Sequence, residues 1–293
     1  MTATTSATRR RERVRAILAG AECYHPASVF DPLSARIAQD IGFELGMFAG
    51  STASLAVLGA PDLILVTLTE FAEQCRRICR AAPDLPVLVD ADHGYGNALN
   101  AMRTIQEVEA AGIVAATIED TLLPQPYGAG KPQLIPREEG LGKIRAALAG
   151  RDDPAFIVIA RTGAVQIAGV EEAIARARAY EDAGADALFF TGVKTRAQLA
   201  AIAEATRLPL ILGSIEGELE DRALLAAHRV RIALQGHQGI TAAALAVHAT
   251  LKALRDGVKP SDLQGLPPRG FMQRLMREEQ YAAWTRDFLG GVG

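Results

Sequence analysis

Eight short apolar runs, each bounded by a turn signal, constrain the fold of this chain more than any other feature. Each run is too short for a helix and lacks polar–apolar alternation, a pattern typical of strands buried on both faces. Most of the stretches between them have helical spacing, as in "GVEEAIARARAYEDAG". We therefore predict a repeating βα unit, with strands at 27–30, 44–49, 86–89, 114–118, 155–160, 186–190, 208–212 and 230–234.

The number of repeats points to a closed barrel. Two joints, "EAAGIVAATIED" and "EDAGADALFFTG", end a helix at a glycine and enter a strand in nearly the same way. Eight units favour an α/β fold of the (β/α)₈ TIM type over an open sheet, which more often carries a dinucleotide fingerprint after its first strand. We predict one domain over residues 1–293, with the barrel at about 14–255 and a C-terminal helical extension at about 256–293.

Composition narrows the classes of partner. The chain is 49% hydrophobic and 22% charged, which supplies ample material for a core, and its formal net charge is −3. Neither a broad basic surface for nucleic acid nor an apolar run of roughly 20 residues for a membrane is present in the sequence. Three cysteines suggest no disulfide framework, so we expect a reducing, cytoplasmic location and a small-molecule ligand.

Chemistry in such a barrel is expected at the carboxyl ends of the strands, where the active site of this fold lies. The residues that follow the eight runs include several acids, one arginine and one histidine, which would converge on one mouth. In chain order they are Asp31, Gly50, Ser51, Asp90, Asp92, Glu119, Asp120, Arg161, Thr162, Thr191, Gly213, Ser214, Gln235, Gly236 and His237.

The acids after the third and fourth runs suggest a metal site. Asp90 and Asp92 are two apart, so in an extended segment both side chains would point to the same side and repel unless a cation lay between them. With Glu119 they would form an oxygen-rich site suited to Mg²⁺ or Mn²⁺. The alternative is that Asp90 only bonds the backbone of the following turn. Three acids on adjacent strands favour the metal.

Three other strand ends offer binding groups, and each could instead have a purely structural role. Arg161 suits a carboxylate or phosphate, or could form a salt bridge with Glu119 or Asp90. His237 could act as a proton donor, or could be a rim histidine with no catalytic part. The backbone N–H groups of Gly50 and Ser51 could cradle an oxyanion, although this signal alone is weak.

Four motifs together resemble the isocitrate lyase and phosphoenolpyruvate mutase superfamily. They are "LGAPDL" at 58–63, "DADHGYGN" after the third run, "TIEDTLLP" after the fourth and "IART" at the fifth. The resemblance covers nearly the whole chain. It implies an α/β barrel whose last helix is exchanged with a neighbouring subunit in a tetramer built as a dimer of dimers. It also implies Mg²⁺ and a 2-oxo acid or its enolate as ligands.

The resemblance also assigns roles to individual residues. It implies that Asp90 is the direct metal ligand, while Asp62, Asp92 and Glu119 hold metal-bound waters. Arg161 would grip the ligand, and the amides of Gly50 and Ser51 would bind it. We add His237 to the substrate-binding and catalytic groups because it follows the eighth run.

The loop after the fourth run separates branches of this superfamily. Branches that cleave isocitrate or methylisocitrate carry a Cys there as proton donor, whereas this loop, "TLLPQPYGAGKPQLIPREEG", has neither Cys nor His. The pattern, with His93 in "DADHGYGN", looks most like the Mg²⁺-dependent oxaloacetate decarboxylase branch, a carboxy-lyase that forms pyruvate through an enolate.

Two positions depart from that branch. Gly163 stands where relatives have Asp, Asn or Glu, and Ile215 in "SIEG" stands where they have Tyr. These departures leave two further hypotheses open. One is a lyase or hydrolase acting on another 2-oxo or 2-hydroxy dicarboxylate or on phosphonopyruvate. The second is a catalytically impaired barrel that only binds a keto acid.

Overall fold

A computed structural model describes residues 6–290 and contains an eight-stranded parallel sheet. Neighbouring strands pair in the order β1 to β8, so each strand lies beside the next one in the chain. The prediction of eight βα units in a (β/α)₈ barrel is confirmed. The strands are β1 (Ala27–Ser28), β2 (Gly46–Phe48), β3 (Val87–Asp90), β4 (Ala115–Glu119), β5 (Ile157–Thr162), β6 (Ala187–Phe190), β7 (Leu210–Ser214) and β8 (Val230–Leu234).

Helices separate the strands, and several begin at side-chain caps. The α-helices are α1 (Ser6–Ala19), α2 (Pro32–Asp40), α3 (Gly50–Ala53), α4 (Leu68–Ala81), α5 (Ala98–Ala110), α6 (Arg137–Gly150), α7 (Ala164–Ile167), α8 (Val170–Asp182), α9 (Arg196–Ala205), α10 (Arg222–Ala227), α11 (Gln238–Arg255), α12 (Arg269–Met276) and α13 (Glu278–Leu289). A π-helical turn (Ser54–Leu58) continues α3, and 3₁₀ turns lie at Gly217–Leu219 and Pro260–Asp262.

The ends of the sheet meet through the segment before β1. Tyr24 forms a parallel bridge with Ile232 of β8. Its amide donates to the Arg231 carbonyl at 2.8 Å, and its carbonyl accepts from the Ala233 amide at 2.9 Å. These bonds satisfy backbone groups that an open sheet edge would leave unpaired. The barrel is therefore closed.

Apolar side chains fill the barrel in two layers. An inner cluster includes Leu88, Ile159 and Phe189 of the strands together with Val14 and Leu18 of α1. A larger outer cluster packs the strands against the surrounding helices. Because α1 contributes to the inner cluster beside residues at the starts of strands, the open mouth is left at the carboxyl ends.

The turn from β3 into α5 is tightly specified. Asn97 caps α5, and its side chain accepts from the amides of Leu99 and Asn100 at 2.9 and 3.3 Å. Gly94 has φ of +78°, and a Cβ there would lie 2.9 Å from the Cβ of Ala101. Glycine is required at 94 by both backbone conformation and space. These contacts fix the course of the chain just beyond Asp90.

The chain divides into two compact units, residues 1–237 and 238–293. The first contains the barrel strands, and the second contains α11 to α13, with Tyr281 and Trp284 in edge-to-face contact at 5.2 Å. The division falls at 237/238, whereas the predicted extension begins at about 256; one domain over the whole chain stays a prediction. No helix within residues 6–290 is long and apolar enough to cross a membrane.

Candidate active site

Asp90 ends β3 and lies between two partners at the mouth. Its Oδ2 pairs directly with Nη1 of Arg161, and its Oδ1 accepts from the Thr117 hydroxyl at 2.8 Å. The register of the sheet explains the second contact, because Asp90 is aligned with Thr117 on β4. Asp90 is only 8% exposed, so water competes little for either bond. The Arg161–Asp90 salt bridge is therefore present, and binding of a ligand by Arg161 stays a prediction beside it.

Glu119 and Arg161 are aligned on β4 and β5 and face each other. Glu119 Oε2 lies 3.8 Å from Nε of Arg161 and accepts from the Thr121 hydroxyl at 2.7 Å. The guanidinium lies over the ring of Phe189, 5.3 Å from its centroid. Burial opposes the charge of Arg161, but Asp90 and Glu119 outweigh it and raise its pKa, which keeps the guanidinium positive.

Asp92 reaches the site by a different route from the one predicted. The chain leaves the extended conformation after Asp90, and Asp92 has φ of +48°, in the left-handed region that Asp tolerates better than most residues. The expectation of an extended Asp90–Asp92 pair was therefore wrong. The Asp92 carbonyl accepts from the Glu119 amide at 2.8 Å, and its Oδ1 would lie 2.6 Å from a Cβ on Gly50. Glycine at 50 leaves room for this carboxylate.

The carboxylates at the mouth repel one another, which disfavours the ionised form of each. Burial raises the pKa of Asp92 well above its usual range, and the charges of Asp90, Glu119 and Asp62 raise it further. Burial likewise raises the pKa of Glu119, although the Arg161 guanidinium opposes the shift. One guanidinium thus faces an excess of carboxylates, an arrangement that a bound cation would relieve.

Asp62 and His237 complete the rim. Asp62 lies on an exposed part of the segment before α4, yet loss of hydration around its carboxylate and the charge of Asp90 raise its pKa. His237 follows β8 and shares a 2.8 Å hydrogen bond between Nδ1 and the Ser28 hydroxyl of β1. Burial lowers the pKa of His237, although Asp90 and Asp62 oppose the shift. The structure brings both residues into the same electrostatic neighbourhood.

Gly50 and Ser51 open α3 directly after β2. No side chain caps this start, since Ala49 occupies the cap position, and the first amides of a helix have no acceptor within the helix. Gly50 is buried against Asp92 and Ser51 is half-buried. Their position supports the predicted role of donors to an anionic ligand.

The donor set fits a hard divalent cation held mainly through water. Within residues 6–290, no three His, Cys, Asp or Glu side chains converge closely enough to ligate one ion together. Direct ligation by Asp90, with water-mediated contacts from Asp62, Asp92 and Glu119, stays a prediction. Mg²⁺ commonly keeps several waters and takes few carboxylates, so the arrangement suits it.

The sequence analysis missed four hydroxyl and ammonium groups that bond residues in and around the site. Thr117 and Thr121 bond Asp90 and Glu119, and Ser28 bonds His237. Lys143 of α6 is 3% exposed and donates to the His93 carbonyl at 2.9 Å. A signal existed for Thr117 alone, because it stands two residues before Glu119 and so shares its side of the strand.

The structure shows the surroundings of Gly163 and Ile215, the two positions that differ from the decarboxylase branch. Gly163 precedes α7, and a Cβ there would lie 3.3 Å from the Thr191 hydroxyl, so the position could hold a small side chain with little adjustment. Ile215 packs partly buried against the outer cluster, while Glu216 is exposed.

The fold is a closed (β/α)₈ barrel with a carboxylate cluster and a half-buried arginine, Arg161, at its mouth. The sequence model of phosphoenolpyruvate phosphomutase matches residues 14–255. The chain belongs to this family, and the resemblance to the isocitrate lyase and phosphoenolpyruvate mutase superfamily is confirmed.

Relatives named oxaloacetate decarboxylase match almost end to end. One from Bradyrhizobium sp. (strain ORS 278) is 60% identical over 281 residues, covering 96% of this chain and 97% of the relative. Another from Rhodopseudomonas palustris (strain HaA2) is 61% identical with the same coverage. These relatives carry the name of the branch that the sequence analysis predicted, oxaloacetate decarboxylase.

Solved structures with about half that identity share the fold. Oxaloacetate acetylhydrolase in complex with oxalate superimposes with a TM-score of 0.83 at 31% identity, over 97% of this chain and 99% of that chain. Phosphonopyruvate hydrolase in complex with oxalate and Mg²⁺ gives a TM-score of 0.83 at 30% identity, over 96% and 99% of the two chains. Both complexes hold a small dicarboxylate.

Proposed function

We propose that this protein is a Mg²⁺-dependent carboxy-lyase that converts oxaloacetate to pyruvate and CO₂ through the pyruvate enolate. Relatives at 60% identity carry the name of this activity. The phosphonopyruvate hydrolase complex, which contains Mg²⁺ and oxalate, supports the metal and the ligand class. Mn²⁺ is an alternative ion, because the donor set consists of carboxylates and water.

The single observation that carries this proposal is the Asp90–Arg161–Glu119 cluster at the mouth. Asp90 would hold the ion, with Asp62, Asp92 and Glu119 bonding its waters. When bound, Mg²⁺ supplies Lewis acidity toward the C1 carboxylate and the C2 keto oxygen of the substrate. Arg161 and the amides of Gly50 and Ser51 would stabilise the negative charge that develops on the keto oxygen as the C4 carboxylate leaves.

The loop between β4 and α6 favours decarboxylation over cleavage of a hydroxy acid. Residues 121–136 contain neither Cys nor His to protonate a departing dianion. Release of CO₂ requires no such acid, because the departing group leaves neutral. The enolate needs one proton at C3, which we assign to His237, held through Nδ1 by Ser28.

The test is pyruvate formation from oxaloacetate with and without Mg²⁺, measured against the rate that the metal gives alone. We expect the wild-type protein to exceed that background and Asp90→Ala to fall to it. Asp152→Ala, which removes an exposed carboxylate in the segment before β5, should retain the wild-type rate. A wild-type rate equal to the background would reject the proposal and favour a barrel that only binds keto acids.

The same assay tests His237. We expect His237→Ala to lower kcat by about 10²-fold, the low end for a general acid, with little effect on Mg²⁺ affinity. An unchanged kcat would remove His237 from the mechanism. It would leave the decarboxylase proposal intact, since water could protonate the enolate.

Hydrolysis of oxaloacetate is the second candidate, favoured by the likeness to oxaloacetate acetylhydrolase. The two reactions differ in their products, because hydrolysis would yield oxalate and acetate in place of pyruvate and CO₂. Oxalate as the main product would therefore establish the hydrolase. Turnover of phosphonopyruvate, methylisocitrate or dimethylmalate, and not of oxaloacetate, would establish a lyase or hydrolase specific for that compound.

We also propose a homotetramer built as a dimer of dimers in the cytoplasm. The C-terminal unit supports assembly, because Leu245, Val247 and Leu251 of α11 are 69%, 57% and 61% exposed. Val247 and Leu251 are four residues apart and share a face of the helix, and adjoining exposed apolar side chains commonly mark a protein interface. An exchanged helix between subunits would cover them.

A further inference from the structure

The turn that carries Asp92 has an unusual backbone. Four of its residues have positive φ, namely Asp92 at +48°, Gly94 at +78°, Tyr95 at +59° and Gly96 at +148°. Glycine adopts such angles freely, whereas Asp and Tyr do so at a cost in free energy. The surrounding elements must therefore hold this turn if the Asp92 carboxylate is to stay at the mouth.

Three successive carbonyl groups of the turn, those of residues 92–94, each accept a hydrogen bond from a different element of the barrel. The donors are the Glu119 amide of β4 to Asp92 at 2.8 Å, the Lys143 ammonium of α6 to His93 at 2.9 Å and the Thr104 hydroxyl of α5 to Gly94 at 3.1 Å. Only the ammonium is charged, and a hydrogen bond from an ionised group is roughly twice as strong as one between neutral groups. We therefore expect the Lys143 bond to contribute most to holding the turn.

Lys143 has no second partner that would explain its burial. It is 3% exposed, and a lysine is almost never this buried unless it is paired. Between residues 6 and 290 its ammonium forms no salt bridge, and its one hydrogen bond goes to the His93 carbonyl. Burial lowers the pKa of Lys143, although the charges of Glu139, Glu119 and Asp120 oppose the shift. The chain thus keeps a cation in its interior, at a cost, for one bond to the turn.

The place of this bond in the chain links it to Asp92. The carbonyls of Asp92 and His93 belong to consecutive peptide planes, so the bonds to them fix the backbone on the carboxyl side of Asp92. The Asp92 side chain in turn lies against Gly50. Rotation of the backbone at His93 would therefore move the carboxylate away from the position in which it can bond a metal-bound water.

From these contacts we propose that Lys143 is a positioning residue for the metal site, because its bond to the His93 carbonyl holds Asp92 in the conformation that favours Mg²⁺ binding. The inference rests on the proposed function and adds to it a residue outside the predicted donor set. Lys143 itself contacts neither the ion nor the substrate in this proposal.

Removal of Lys143 has two effects of opposite sign on cation binding. Loss of a positive charge near Glu119 would by itself tighten the binding of a cation. Loss of the fixed turn would weaken it, and groups that orient metal ligands commonly contribute about 10–100-fold to metal affinity. We expect the weakening to dominate, so the direction of the change separates positioning from a simple effect of charge.

The test is titration of the full-length protein with Mn²⁺, with the free ion measured by electron paramagnetic resonance. We expect Lys143→Met, which has a similar length but neither charge nor donor, to weaken Mn²⁺ binding about 10-fold, the lower end of the usual range. Lys143→Arg, which keeps a charged donor, should bind Mn²⁺ more tightly than Lys143→Met. If Lys143→Met does not fold by circular dichroism, Lys143→Gln replaces it in the comparison.

Hydrogen exchange of the metal-free protein shows whether the turn itself is released. The amides of Glu119 and Gly94 donate to carbonyls of this segment. Lys143→Met should speed their exchange more than that of the other amides of β4 and α5. Equal acceleration of all these amides would indicate a general loss of stability and would contradict the positioning role.

A matched control exists at the opposite end of the barrel. Arg231 lies at the amino end of β8, is 8% exposed and donates to the Ala226 carbonyl at 3.0 Å. Arg231→Met therefore also removes a buried cation that bonds the backbone. It should bind Mn²⁺ as the wild type does, and a weakening equal to that of Lys143→Met would contradict the proposal.

The Mn²⁺ titration also separates this inference from the proposed function. A wild type that binds Mn²⁺, together with a Lys143→Met protein that binds it equally or more tightly, would overturn the positioning role alone. A wild type that binds Mn²⁺ and depends on Lys143 for it, but forms no pyruvate, would overturn the decarboxylase alone. A wild type that does not bind Mn²⁺ would overturn both.

Discussion

The backbone conformation, burial and neighbouring charges of one residue, Asp92, strongly affect the properties of the site. It lies in the left-handed region, is 8% exposed, and faces like charges on Asp90, Glu119 and Asp62. Strained backbone and repelling charges persist in folded proteins mainly where function requires them. These features lower the stability of the protein, and the cation that we propose at this site would offset that cost.

Asp92→Asn should stabilise the metal-free protein at neutral pH. The pKa of Asp92 is raised on folding, so its unfavourable contribution grows as pH rises from the unfolded value of about 3.9 to the raised value and is full above it. Asn removes the charge and tolerates the same backbone conformation. We therefore expect the substitution to raise the free energy of unfolding in EDTA by about 1–2 kcal/mol at pH 8. Near pH 4 we expect little change.

Urea unfolding at the two pH values measures this difference, and Mg²⁺ titration should show weaker binding by the variant. A variant no more stable than wild type at pH 8 would contradict charge repulsion at Asp92.

The residues of the site were only partly predictable. Asp90, Glu119 and Arg161 follow from their places at strand ends, because the fold brings those ends together. Asp92 was found, although from a backbone geometry it does not have. Thr121 could not be found, since its role depends on a hydroxyl direction that no periodicity encodes.

Between elements, a buried polar network ties α8 to the end of β4. The Tyr180 hydroxyl donates to Asp120 Oδ2 at 2.7 Å, and Nη1 of Arg176 donates to the same oxygen at 3.0 Å. Gly140 of α6 lies so close that a Cβ there would overlap the Tyr180 hydroxyl. The three elements meet without space for one more methyl group.

Two glycines of α6 should therefore respond oppositely to alanine. Gly142→Ala meets nothing within 4 Å and should stabilise the helix by about 0.5–1 kcal/mol. Gly140→Ala should displace the Tyr180 hydroxyl from Asp120 and destabilise the protein by about 1.5–3 kcal/mol, the usual contribution of a hydrogen bond to a charged group, while Arg176 still bonds the carboxylate. Urea denaturation of both variants checks this, and equal stabilities would contradict the network.

For the molecule as a whole, the order of the strands could be predicted from the sequence, but the division into two compact units could not. Eight strands in sequential order follow from the βα repeat, whereas the division at 237/238 does not, because α11 has ordinary helical spacing. A sequence pattern shows that Leu245 and Leu251 are apolar and on a helix. It does not show that they are exposed within one chain.

Charged residues on α11 should therefore disrupt the proposed tetramer. We expect the double variant Leu245→Glu and Leu251→Glu to elute as smaller species in size-exclusion chromatography with light scattering, because burying two carboxylates at an interface is strongly unfavourable. Gln264→Glu, an exposed change in the same unit, should remain tetrameric. A monomeric wild type, or an unchanged double variant, would contradict the assembly.

The hydrogen bond between Ser28 and His237 spans the seam where the first and last strands meet, joining residues 209 positions apart. A ribosome therefore completes the carboxylate cluster long before it adds the histidine. During synthesis the growing chain carries Asp90, Asp92 and Glu119 with neither Arg161 nor a closed wall beside them, and nascent chains generally fold as whole domains. Catalytic competence should thus arrive in a single late step, when the last strand docks.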